Sequence, residues 1–245
     1  MTHLLRYVLA ICCATFVFNT FGQAQPRLGV KAGTTMTDLK TTSVVLPDVD
    51  PLLNAHVGVI FQYSPLGSAF KRLDLSQPVA KKKTFWSDFA WGLAVQPELL
   101  FITGGGRLNN ASNSYFTAMG LTETTYTLRT YDMELPLNLQ AGIRYKRTLY
   151  MAQFAPFVGL RLSGSLNGST TDYKTVDGTF PFNQWAFGYG YGFGLQNNQW
   201  QCAINYKLTT TPLGQETPHP FTNVNYNPFH LMNQRSLTVS VGYLF

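Results

Sequence analysis

Glu98 and Glu134 are the residues that could do chemistry most directly, because a pair of carboxylates is what acid and base hydrolysis of a glycosidic bond requires. Each lies in the middle of a strictly alternating segment, LAVQPELLF (93–101) and YDMELPLNLQAGIRY (131–145), and neither segment implies a cleft. The expectation is therefore ion pairing in a filled interior. A metal centre would need several converging ligands. His56, His219 and His230 are the histidines beyond residue 24, and His219 and His230 fall in a proline-containing connection without a cysteine pattern beside them. No G-x-S-x-G nucleophile elbow occurs. These residues predict a chain that is not an enzyme and carries no catalytic centre, metal or cofactor.

The stretch WAFGYGYGFGL (185–195) holds four glycines, which invites a phosphate-loop reading. A dinucleotide fingerprint needs G-x-G-x-x-G between a strand and a helix. Here the period is two, so in an extended strand Trp185, Phe187, Tyr189, Tyr191, Phe193 and Leu195 share one face and the glycines share the other.

The elements that would position such residues follow from the same period. Of the 245 residues, 14% are aromatic and 12% charged, about half the charged fraction of a typical soluble domain. Residues 1–24 read as a signal peptide: Arg6 precedes an apolar core, and Gly22-Gln23-Ala24 offers a small-x-small cleavage site. Cleavage there would remove Cys12 and Cys13 and leave Cys202 alone, so no intrachain disulfide is expected. No later segment approaches the roughly 18 apolar residues of a spanning helix.

Eight segments alternate: Leu28 to Met36, Leu53 to Tyr63, Phe89 to Phe101, Arg129 to Tyr145, Phe154 to Gly164, Trp185 to Leu195, Trp200 to Thr209 and Ser236 to Phe245. Each is long enough for a tilted membrane strand. Their non-apolar faces carry Gly, Ala, Ser, Asn, Gln and a few balanced charges, unlike the Lys and Glu carpet of a water-facing sheet. Aromatic residues near segment ends would form girdles at the two interfaces. With the amino terminus in the periplasm, the outward connections are 38–52, 103–125, 165–184 and 209–235, and the inward ones 146–153 and 196–199 are short. Residues 64–83 are the exception, long and basic through Lys71, Arg72, Lys81, Lys82 and Lys83. That cluster accounts for much of the +6 formal charge, and a solvated turn near anionic headgroups explains it without nucleic acid. Docking of a periplasmic partner is the sharper alternative for it. The pattern predicts an all-β protein, an eight-stranded antiparallel up-and-down transmembrane β-barrel over residues 25–245.

Several stretches carry a family likeness: GVKAGTTMTDL (29–39), LAVQPELLF, YDMELPLNLQAGIRY, APFVGL (155–160) and the closing SLTVSVGYLF. In order along the chain they resemble the PorT-type outer-membrane β-barrel family, with its G-x-K-x-G, Q-P-E-L, E-[IL]-P-L and G-Y-x-F strands. The resemblance implies an outer-membrane barrel reached after signal-peptide export, and an envelope or secretion partner protein. The alternating end Leu237, Val239, Val241, Tyr243 and Phe245 resembles the signal read by barrel-assembly machinery.

With polar faces inward, Lys31, His56, Glu98, Asp132, Glu134, Arg144, Arg161 and Lys207 would share the lumen. A barrel of this size has room only for side chains. Because a lone buried charge is very costly, these residues are expected to pair into a network that plugs it. The glycines of 185–195 would then make room for facing residues such as Arg144 and Arg161. The expected role is structural or interactive, exercised through the outer loops among outer-membrane lipids. A narrow porin-like channel for small solutes or ions is the alternative.

Overall fold

The computed structural model describes residues 26–41, 49–70, 89–109, 125–167, 172–174, 182–215 and 228–245. The signal-peptide reading, the basic cluster from Lys71 to Lys83 and His219 fall outside the described residues. The strands are β1 (Arg27–Thr41), β2 (Val49–Gly67), β3 (Phe89–Asn109), β4 (Thr125–Tyr145), β5 (Thr148–Asn167), β6 (Asp172–Lys174), β7 (Trp185–Asn197), β8 (Trp200–Thr209) and β9 (Met232–Leu244). Each long strand pairs antiparallel with the next, and β9 returns to β1 through pairs such as Val30 with Tyr243 and Thr34 with Val239. β6 only extends the outer end of β5. The eight long strands thus form a closed up-and-down ring. Closure leaves no strand edge unpaired, the condition for a sheet to sit in lipid.

Alternation is what sorts the two faces. Val59, Phe61, Trp91, Leu137, Ile204 and Val241 all point outward and are exposed, as is the whole aromatic row of β7, up to 75% at Phe193. Lys31, Gln62, Gln96, Glu98, Asn138 and Gln140 are buried inside. A contiguous apolar exterior around a polar interior is the inverse of a water-soluble barrel, so this sheet is built to cross a membrane. Around the turn end the outward aromatics pair, Phe89 with Tyr145 at 4.9 Å and Trp200 with Tyr243 at 5.0 Å between ring centroids. Aromatic girdles sit at this level in membrane barrels.

The strands run further than the alternation of the sequence indicates. The connection placed at 146–153 is a turn of Lys146 and Arg147, with φ +55° at Lys146, and β5 begins at Thr148. Inward Leu149 and Met151 are apolar, which hid the strand. At the loop end, β1, β2, β3, β5 and β9 reach into the connections placed at 38–52, 103–125, 165–184 and 209–235, and β4 begins at Thr125. There the sign of the alternation reverses: outward Asp38, Lys40, Arg107, Thr127 and Arg129 face inward Leu39, Leu108, Tyr126 and Leu128. Above the membrane the exterior is water, so the apolar face turns to the inside.

Three register shifts interrupt the described ladders, one of them between Tyr63 and Leu66 of β2 near the turn end. Asp132 pairs with Arg161 but Tyr131 pairs with Ser163, so Leu162 is an extra residue in β5. Ser163, expected inward, therefore takes the outward parity, and Gly164 and Leu166 are buried inside. A bulge of this kind flips every later side chain of its strand. Between β2 and β3 the register breaks from Pro51–Gly106 to His56–Ile102. Across the break Thr103 Oγ1 accepts from Ala55 N at 3.0 Å and donates to Ala55 O at 3.2 Å, replacing ladder bonds with side-chain ones.

Candidate functional site: a filled lumen closed at both ends

The lumen has three levels, each dictated by what its strands turn inward. In the middle, three ion pairs bridge different strands. Lys31 Nζ on β1 lies 2.9 Å from both Glu98 oxygens on β3, Arg161 Nε on β5 lies 3.1 Å from Asp132 Oδ1 on β4, and Lys207 Nζ on β8 lies 2.5 Å from Glu134 Oε2 on β4. The two glutamates are thus each committed to their own lysine and do not form a carboxylate pair. In a water-poor interior such pairs are costly to separate, because either partner left alone is an uncompensated buried charge.

Below the ion pairs lies a belt of glutamines. Gln62 Nε2 donates to Gln140 and Gln196 at 3.1 Å each, Gln96 Nε2 donates to Glu98 at 2.7 Å, and Gln201 Nε2 donates to Gln96 at 3.2 Å. The sequence reading placed most of these on the polar face without assigning them to the network. Their shared parity with the charged residues was the available signal. Arg27, buried at the foot of β1, was also missed; its Nη2 donates to Asn198 O at 2.9 Å.

Six of the eight residues expected in the network form the three pairs. His56 is buried and reaches Thr35 Oγ1 through Nδ1 at 3.0 Å, while its Nε2 finds no partner among the described residues. Arg144 is inward near the turn end, but its buried Nε finds no acceptor among the described residues. Among the described residues it joins no ion pair. The glycines of β7 do make room, for other residues than expected: a Cβ at Gly188 would meet the Phe157 ring at 2.5 Å, at Gly190 Lys207 Cγ at 3.1 Å, and at Gly194 Gln153 and Met151 at 2.9 Å each. Arg144 and Arg161 are not among these neighbours, because strand neighbours rather than opposite strands fill the space.

Apolar caps close the two ends. At the turn end Phe70, just beyond β2, is buried with Ala69, Ala94, Leu149 and Met151. Its ring stands about 3 Å from where Cβ atoms would lie on Gly92 and Gly142, so those glycines make its seat. At the loop end, inward Leu39, Leu108, Tyr126, Leu128, Leu166 and Met232 pack with Phe182, Leu213 and Phe229 from the connections. Phe182 meets Phe229 edge-on at 5.3 Å. Backbone bonds stitch the connections together, Leu213 N to Met232 O and Gly214 N to Phe229 O, both 2.8 Å. His230 sits beside Phe229 in the short 3-10 turn Pro228–Leu231 at this rim.

Arg161 joins the cap to the ion-pair level. Its Nη1 donates to Asn183 O at 3.1 Å and Leu213 O at 3.2 Å, and its guanidinium lies 5.6 Å from the centre of the Phe182 ring. Outside the lumen, Leu237, Val239, Val241 and Phe245 project into the apolar exterior, with Tyr243 packed between Trp200 and Phe245.

A closed ring with an apolar outer belt and a polar, capped interior defines a transmembrane β-barrel. The chain is similar to the crystal structure of Ail, the attachment invasion locus protein of Yersinia pestis, at 10% identity over 90% of this chain and 99% of that one, with a TM-score of 0.35. Similarity to Neisserial surface protein A is also 10% identity, over 89% and 97% of the two chains, with a TM-score of 0.39. The toluene transporter TodX of P. putida is similar at 10% identity over 91% and 90%, with a TM-score of 0.24. No protein-family model and no curated protein matches the chain.

Proposed function

We propose that this chain is a non-enzymatic outer-membrane β-barrel whose task is interaction at the loop end, with the lumen as a structural brace rather than a passage. One observation carries the reading: the interior is occupied by ion pairs and glutamines between two apolar caps, Phe70 at one end and the cluster around Phe229 at the other. Loops held on a rigid scaffold are where binding usually resides. The strand motifs shared with the PorT-type family support a role as an accessory of protein secretion or envelope assembly, and the alternating Leu237 to Phe245 end supports delivery through barrel-assembly machinery after signal-peptide export.

The test combines planar-bilayer recordings with crosslinking in intact cells. The purified barrel is expected to be electrically silent, and crosslinks to an envelope partner are expected to disappear when residues 110–124 or 216–227 are deleted. Stable single-channel steps from the intact barrel would favour the narrow channel instead. Crosslinks unaffected by every loop deletion would remove the interaction reading.

A further inference from the structure

The broken register between β2 and β3 leaves more than an irregular ladder. It opens a depression of about 430 Å³, lined among others by Thr34, Leu53, Ala55, Thr103, Arg129 and Tyr131. All six take the outward parity of their strands. The other lining residues, Leu52, Asn54, Gly104 and Thr130, take the inward parity, so the depression reaches into the wall and its outward side is formed by those six.

Its height matters. Immediately toward the membrane the wall is apolar: Val57, Phe101 and Met133 form one cross-strand row and all three are exposed. Tyr131 stacks on Phe101 with centroids 6.4 Å apart, as an aromatic at the membrane interface would. Immediately away from the membrane, the outward residues of β3 and β4 become polar, with Arg129, Thr127 and Arg107. The depression straddles the level at which a lipid changes from acyl chain to headgroup.

Arg129 is exposed, and among the described residues no acid stands opposite it: its cross-strand neighbours are Gly105 and Ser165. The nearby acid, Asp50, lies opposite Arg107 and accepts a hydrogen bond from Asn109. Arg107 is thus faced by a carboxylate and Arg129 is not. Gly105, with φ +129°, also keeps the wall bare beside the guanidinium. A planar guanidinium that shares one depression with the hydroxyl-bearing residues Tyr131, on its own strand, and Thr34, on β1, suits a phosphate, which it can hold by two parallel N–H donors.

We propose that this seam binds the phosphate-monoester headgroup of a membrane lipid in the leaflet at the loop end, with the acyl chain lying along Val57 and Phe101. The inference rests on the barrel crossing a membrane, and not on any role of its loops.

The experiment uses the full chain folded into phosphatidylcholine vesicles containing phosphatidic acid of the same acyl chains. Lipids retained on the protein after detergent release are read by native mass spectrometry. Phosphatidic acid is expected to be retained over phosphatidylcholine, and Arg129→Gln to reduce that preference about tenfold, the loss of one charge-assisted contact. Arg129→Lys should retain part of the preference, and Arg147→Gln, on the opposite turn, all of it. Thr34→Val reports on the same depression from a different strand and should weaken retention. Equal retention by wild type and Arg129→Gln would overturn the site, as would an equal fall in Arg147→Gln. Heat-modifiable migration is measured for each variant, so loss of the barrel is distinguished from loss of the site.

Discussion

Arg161 Nε and Asp132 Oδ1 lie 3.1 Å apart across the β4–β5 pair, and the other arm of the same guanidinium holds the carbonyls of Asn183 and Leu213. One side chain therefore fastens the loop-end cap to the wall. Arg161→Ala would leave Asp132 as an uncompensated buried charge and free two carbonyls. The expected cost is about 3–5 kcal/mol in urea unfolding from lipid vesicles. If the cap is what seals the lumen, the variant should also show current steps that the wild type lacks. A stable, silent Arg161→Ala barrel would mean that the apolar packing around Phe229 closes the mouth unaided.

The Lys31–Glu98 pair makes a separable claim, because Glu98 also accepts from Gln96. Lys31→Met should be costly, about 3–5 kcal/mol by the same penalty. Lys31→Met combined with Glu98→Gln removes both charges and should recover much of that loss. A double-mutant cycle on the unfolding free energies measures the coupling. Additive single effects would show that the two residues do not stabilise one another.

How far these residues were legible beforehand depends on what surrounds each strand. Where lipid lies outside, the alternation has one sign, and WAFGYGYGFGL could be assigned to its faces from the sequence. At Thr125 to Thr130 water lies outside and the sign reverses, so a rule of polar residues inward misreads Tyr126 and Leu128. Leu149 and Met151 were lost for a related reason, since a buried Phe70 makes that level of the lumen apolar. Parity placed the eight titratable residues inside. It could not choose their partners, which depend on the stagger between strands, and among the described residues Arg144 has no acid paired with it. The extra residue Leu162 had no signal, because a bulge reads as ordinary alternation until its partner register is known.

The outward row of β9 tests the membrane assignment. Val239 is half exposed midway along the apolar belt, between outward Leu237 and Val241. Val239→Arg should cost about 2–4 kcal/mol near the midplane, whereas Thr127→Arg at the outer rim should cost at most about 1 kcal/mol. Unfolding from lipid vesicles reads both. Equal tolerance at the two positions would place water, not lipid, around β9.

The glycines of β7 offer a graded test, since their surroundings differ. A Cβ at Gly190 would stand 3.1 Å from Lys207 Cγ, the middle of a flexible side chain that can shift. At Gly188 it would press on the Leu208 carbonyl oxygen and stand 2.5 Å from the ring of Phe157, which is buried and has its centre 5.5 Å from Lys207 Nζ. Moving that ring would disturb the lysine bound to Glu134. Gly188→Ala should therefore destabilise by about 1–3 kcal/mol, as overpacking does, and Gly190→Ala by less. Gly188→Ala with Phe157→Leu should restore part of the loss, because leucine lacks the ring edge that clashes. The order of the two single variants in urea unfolding is the deciding measurement. If Gly190→Ala proved the worse, Lys207 rather than Phe157 would be the rigid element against which β7 is packed.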